Sequence, residues 1–477
     1  MCIICKQEDL SGLQKLNCSN CPQLINIPQI NGLKKLDCSN CRCTIDDQWY
    51  NRPILNIPYI NGLLELNCSN CPDLTTIPRI NGLEELDCSG CNLLTTIPRI
   101  KGLNLELKKL KCSNCPRLTN IPYIDGLQEL DCMNCPIVNI PKIKGLQKLY
   151  CSYCPFLTNV PGIRGLRKLY CSNLPLLVKI PRINGLLALD CSECPLLTNI
   201  PQINGLQALH CYGSPLLHSI PRILGLKNLN CSYCPLLTSI PRIHGLQKLD
   251  CSNCLHLINI PRIHGLQELD CSNCHLLTNI PQITGLQKLK CSNCPLLTKI
   301  HKINDLQELD CSNCPLLINI PQIHGLQKLK CLGCYSLTHI PMINGLKYLD
   351  CSGCILLTNV PRIMSLENLN CGHNYLTNIP HIDSLRHLNC SHCPVLTTVP
   401  QINNLERLIC IHCPRLTNIP QINDLRTLDC TYCPILTHIP RIKKSGHLDC
   451  SNCRSLTELK GEVIPYSTIG CVWLDTY

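Results

Sequence analysis

Aromatic side chains are scarce in this chain: Phe, Trp and Tyr make up 4% of 477 residues, with a single phenylalanine, Phe156. A globular core of that size normally draws on aromatic bulk, because each ring buries a large area. The scarcity therefore argues against a conventional multidomain globule. Long apolar runs are lacking too, and no stretch approaches the ~18 residues of a membrane-crossing helix. The formal net charge is +11, but Lys and Arg are scattered. No polybasic tail or nuclear-import cluster stands out. The opening MCIICKQEDL has too short an apolar segment for a secretory leader and meets acidic residues at once.

Cysteine, by contrast, is abundant. There are 45 cysteines, and without a signal peptide they point to an intracellular, reducing compartment in which thiols stay free. They are not scattered. One cysteine recurs 22 times from Cys18 to Cys450, mostly at 20-residue intervals, and a second follows three residues later in 19 of those units. Cys2, Cys5, Cys43 and Cys471 lie outside the pattern. The thiols belong to a repeat, and a short fixed period indicates a solenoid.

Written from Leu13, the unit is L-x-x-L-x-C-x-x-C-x-x-L-x-x-I-P-x-I-x-G. Leu16 and Cys18 alternate as a strand buried on one face requires. Pro28 removes a backbone donor and fixes φ, which predicts an extended, non-helical return. Gly32 supplies a turn residue tolerant of positive φ. Asp305, Asn404 and Asp424 replace it in some units as residues that tolerate the same conformation, whereas Ser365 and Ser384 fit less neatly. Two excesses interrupt the rhythm, one containing T-I-D-D-Q-W-Y-N and one around Asn104 to Leu107; both are expected to bulge as loops.

This unit resembles the leucine-rich repeat, L-x-x-L-x-L-x-x-N/C-x-L, along nearly the whole chain. Cys311 stands at the third leucine and Cys314 at the N/C position. The resemblance implies a mainly β solenoid (of the α/β-solenoid class), with parallel strands on the concave face and extended, mostly non-helical convex returns. Its expected organisation is a lead-in over 1–12, 22 repeats over 13–459 and a cap or tail over 460–477. The wording C-S-N-C-P-L-L-T-N-I-P further resembles cysteine-rich repeat proteins of giant DNA viruses that infect amoebae.

Paired C-x-x-C usually suggests zinc, since two such pairs supply a tetrahedron. Here every coil carries the same pair, and Leu174, Ser214 or Asn374 can replace the second cysteine. The thiols are therefore read as small inward hydrophobes, with no metal ligand and no cofactor assigned. In-register neighbours ~4.8 Å apart also exceed the usual disulfide Cβ separation of about 3.5 to 4.5 Å.

Function is sought on the outward rows. The residue before the first cysteine is Asp in ten units, from Asp37 to Asp449, interrupted by Lys111, Lys290 and Lys330. The next outward row is mostly Ser, so Asp310, Ser312 and Asn313 are expected to face a partner. A Lys/Glu alternation (Lys248, Glu268, Lys288, Glu308, Lys328) would offset the repulsion of stacked carboxylates. The residue after Pro is often basic, as at Arg79, Arg182 and Arg262. That row holds only Tyr59 and Tyr123 as stacking aromatics, which disfavours nucleic acid.

In the middle of the chain large amphipathic residues replace Asp, Ser or Asn: Tyr150, Tyr153, Tyr170, His210, Tyr212 and Tyr233, with Asp190 among them. Such residues are typical interface anchors, and Trp49–Tyr50 in the first insertion forms a second candidate. His373, His392 and His412 share one position in consecutive units, and imidazole rows can bind a transition metal or report pH; they are read as exposed polar positions. No unique catalytic constellation or small-molecule site is evident. The sequence thus predicts a non-enzymatic scaffold that binds another, unidentified protein, a host factor in the host cytoplasm if the viral resemblance holds. The competing reading is a metal- or redox-buffering thiol-rich protein.

Overall fold

The computed structural model describes residues 2, 4–6, 9–21, 24, 26–41, 56–99, 107–440, 442, 447–456 and 458–459. Trp49, Tyr50, the 460–477 segment, Cys43, Cys471 and most of both insertions lie outside that set. The chain divides into two compact units, Met1–Cys234 and Pro235–Tyr477.

Each unit is a parallel β-solenoid. The first contains eleven three-residue strands from Lys15–Asn17 to Asn228–Asn230, and the second eleven from Lys248–Asp250 to His447–Asp449. Within each unit, strands of successive coils pair in parallel with like positions aligned, as in Leu16↔Leu36 and Leu289↔Leu309. No helix occurs among the described residues, and no helix there is long and apolar enough to cross a membrane.

The strands are short because the inward pattern leaves them after one alternation. In the coil around Cys191, Leu186, Leu189, Cys191, Cys194, Leu197, Ile200 and Ile203 are all buried. A single coil cannot enclose these side chains, so stability comes from stacking. Each sealed Leu or Ile contributes about 1.5 to 3 kcal/mol. Beyond the strand, backbone bonds still link coils: Cys311 N donates to Lys330 O at 2.8 Å and Asn313 N to Leu332 O at 2.7 Å. The returns are extended and pair only locally, as at Asn279–Ile280 with Lys299–Ile300 and at the bridge Asn120↔Asn139.

The glycine turn behaves as predicted where glycine is present. Gly205 and Gly225 have φ of 88° and 91°, and a Cβ on Gly225 would lie 3.6 Å from Gly205 Cα. Where glycine is replaced, the prediction of a left-handed residue fails at Asp305, Asn404 and Asp424, none of which has positive φ, and Ser365 and Ser384, the less neat replacements, do not have it either. Side-chain bonds hold several of these turns instead. Asp305 accepts from Gly285 N at 3.0 Å, while Ser365 accepts from Gly345 N and donates to Leu346 O. Asn404 and Ser384 donate to Asp383 O and Leu366 O.

Candidate functional site

On the strand face the aspartate row has a local duty. All ten aspartates accept a hydrogen bond, through Oδ1, from the backbone N–H two residues on; examples are Asp37 to Ser39 at 3.0 Å and Asp310 to Ser312 at 3.2 Å. This is an Asx turn. It carries the chain out of the strand and folds the next residue inward. Ser312 is therefore buried and donates through Oγ to Asp310 at 2.7 Å, so the expected outward serine row is not outward. Alternation fails because the strand ends at Asp310. Lys111 and Lys290 interrupt the row by pairing with Asp87 at 3.6 Å and Asp270 at 3.3 Å. The Lys/Glu row forms the pairs Lys248–Glu268 and Lys288–Glu308. Arg79, Arg182, Arg222 and Arg262 are exposed on the return side.

The residue before the second cysteine is the second left-handed position of each coil, which sequence reasoning missed. Asn20, Asn70, Asn253 and Asn313 have φ between 53° and 58°, and glycine occupies the place at Gly213 and Gly333. The signal was present in the Asn/Gly preference, because those residues tolerate this region. Tyr153, Glu193, Tyr233, His373, His392, His412 and Tyr432 hold it with bulkier side chains.

This geometry sorts the candidate tyrosines. Tyr150, Tyr170, Asp190 and His210 are consecutive neighbours on one strand row. The rings of Tyr150 and Tyr170 stack with centroids 5.0 Å apart. Partial burial, then Glu129, raises the Tyr150 phenol above its usual value. Tyr212 takes the serine place and is half-buried. Tyr153 and Tyr233 are exposed at the left-handed turn; four coils at ~4.8 Å each separate them by about 19 Å. The structure thus joins the strand-row residues and sets the turn tyrosines apart. A depression of about 480 Å³ lies elsewhere on the same face, lined by residues including Lys15, Asn17, Lys35, Asp37 and Glu65.

The doubled leucine of C-P-L-L also divides. Leu197 is buried whereas Leu196 is exposed, and Phe156, Leu176, Leu196 and Leu216 leave an apolar stripe along four successive coils of the first unit.

In the second unit His373, His392, His412 and Tyr432 stack as one ladder, with centroids 4.3, 4.9 and 4.3 Å apart. Parallel rings do not converge their nitrogens. Among the described residues, the group whose ligand atoms do converge is Cys2, Cys5 and Cys21; the sequence placed Cys2 and Cys5 outside the repeat and Cys21 among its inward thiols. Burial, with hydrogen bonds to Cys21 and Cys2, pushes the Cys5 thiol up to about 12.

The repeat cysteines face inward, and burial holds first-position thiols such as Cys88, Cys151 and Cys271 well above the usual range. Second-position thiols donate to the main-chain oxygen of the first cysteine one coil earlier, as Cys135 does to Cys112 at 3.0 Å and Cys314 to Cys291 at 3.2 Å. Asn374 makes the same bond to Cys351 through Nδ2 at 2.9 Å.

The Leucine Rich Repeat family model matches residues 82–102 and 265–286. No curated protein and no solved structure matches the chain. Together with the coil geometry, these matches define a leucine-rich-repeat-type solenoid, a fold that commonly serves as a binding scaffold.

Proposed function

We propose that the chain is a non-enzymatic scaffold that captures a partner protein on the strand face of its first unit. The observation that carries this reading is the Tyr150–Tyr170 stack. At most other places on that row Asp or Asn closes the Asx turn, with Lys111, His210, Lys290, Lys330 and Ile409 as exceptions; tyrosine cannot close it. Instead Ser152 Oγ accepts from Ser172 N at 3.0 Å. The tyrosines thus lack the turn bond that the row's Asp and Asn supply, and present two stacked rings beside Asp190 and His210. Aromatic anchors with a polar border suit a protein partner. Tyr212, Tyr153 and Tyr233 border this face, and Trp49–Tyr50, outside the described residues, remains the second candidate anchor. The resemblance to repeat proteins of amoeba-infecting viruses makes a host protein in the reducing cytoplasm the matching partner.

The thiol-buffering alternative draws no support from the repeat cysteines, which are buried and engaged with backbone. Affinity capture with the full chain tests the scaffold reading. Tyr150→Ala/Tyr170→Ala should keep wild-type circular dichroism and melting while losing the partner that the wild type retains. Retention of every wild-type partner by that double variant would reject the site.

A further inference from the structure

We propose that Cys2, Cys5 and Cys21 form a three-thiolate site for one zinc ion, which fastens the lead-in onto the first repeat. Lys6 N donates to Cys2 O at 3.1 Å, closing a single turn that brings Cys2 and Cys5 to one side. Cys21 is the second-position cysteine of the first repeat. Where its counterparts in later coils have the preceding coil, Cys21 has this pair. Cys5 Sγ lies 3.4 Å from Cys21 Sγ and 3.7 Å from Cys2 Sγ, and all three sulfurs fall within 4.8 Å of one another.

Those separations suit a metal. Tetrahedral zinc with Zn–S near 2.3 Å places its sulfurs about 3.8 Å apart, so the Cys5–Cys21 and Cys2–Cys5 pairs are within a few tenths of an ångström of that spacing and no pair needs to move more than about 1 Å. A disulfide would require closure of one pair to about 2.0 Å and an oxidant. The Cys2 backbone N–H points at Cys21 Sγ at 3.5 Å, the kind of outer contact that steadies a metal-bound thiolate. Three soft donors select zinc over magnesium or calcium, and water fills the fourth position on the half-exposed side of Cys2 and Cys5. Binding releases the thiol protons to solvent. The other repeat thiols lack this convergence, so the proposal limits the chain to one ion where a thiol buffer would take many.

Full-length protein reduced, stripped of metal and titrated with Co²⁺ should give a thiolate-to-cobalt charge-transfer band that saturates at one equivalent and is displaced by Zn²⁺. Cys5→Ser should abolish the band. Because Cys5 lies outside the repeats, that variant should keep the circular dichroism of the metal-free wild type. Zinc should also slow proteolysis at residues 2–6 in the wild type but not in the variant. The proposal is overturned by no band, by binding of several equivalents, by unchanged binding in Cys5→Ser, or by a wild-type mass two hydrogens short under reductant.

Discussion

The thiol of Cys314 donates to the main-chain oxygen of Cys291, one coil earlier, across 3.2 Å. Asn374 makes the equivalent bond to Cys351, but its Oδ1 is then buried with no partner. A cysteine supplies the donor and leaves only a weakly polar sulfur behind. That difference explains why a repeat stacked this tightly can favour cysteine at a position where either residue satisfies the carbonyl.

Ser214 shows what happens when the side chain is too short. It is fully buried, and its Oγ has no hydrogen-bond partner. Ser214→Cys should lengthen the reach to Cys191 O, remove an orphaned hydroxyl and stabilise the first unit by about 1–3 kcal/mol. Cys314→Ser should cost a similar amount in the second unit. Chemical denaturation of both variants checks this, and a destabilised Ser214→Cys would contradict the ladder.

The Asp310 carboxylate acts first as an acceptor for Ser312 N and Oγ. Asp310→Asn keeps that acceptor and should be close to neutral, as Asn230 makes the same pair of bonds to Ser232. Asp310→Ala removes it and should cost about 0.5–1.5 kcal/mol per bond lost. Equal stability of the two variants would show that the row is held for its charge rather than for the turn.

The period, the inward positions and the extended return were legible because each follows from alternation or from proline's missing donor. What the sequence hid was the path between the two cysteines. Strand alternation makes Ser312 an outward residue, but the Asx turn at Asp310 reverses its direction within two residues. Asn313 is exposed, as its polar side chain suggested, but the pattern did not show that it stands where the backbone turns left-handed. Likewise Cys2 and Cys5 looked like strays, since their proximity to Cys21 depends on a turn whose folding no repeat pattern encodes. Among the tyrosines, periodicity could align Tyr150 with Tyr170 but could not separate them from Tyr153 and Tyr233, which lie beyond the turn.

The histidine ladder should make the second unit sensitive to acid. His392 lies between His373 and His412, with ring centroids 4.3 and 4.9 Å away. Burial, then the charges of His373 and His412, lowers its pKa below 6.5. The native state therefore resists a proton that the unfolded chain accepts. Stability is full above about pH 6.5, the value for a free imidazole, and declines as pH falls through the lower native value. Tyr432 closes the ladder beside His412 and adds no positive charge. His392→Asn restores the common residue of this left-handed turn and separates the two outer imidazoles. It should flatten the fall in melting temperature between about pH 7 and 5 while leaving the neutral-pH melting temperature nearly unchanged. An identical pH slope in wild type and variant would remove the ladder as the acid-sensitive element.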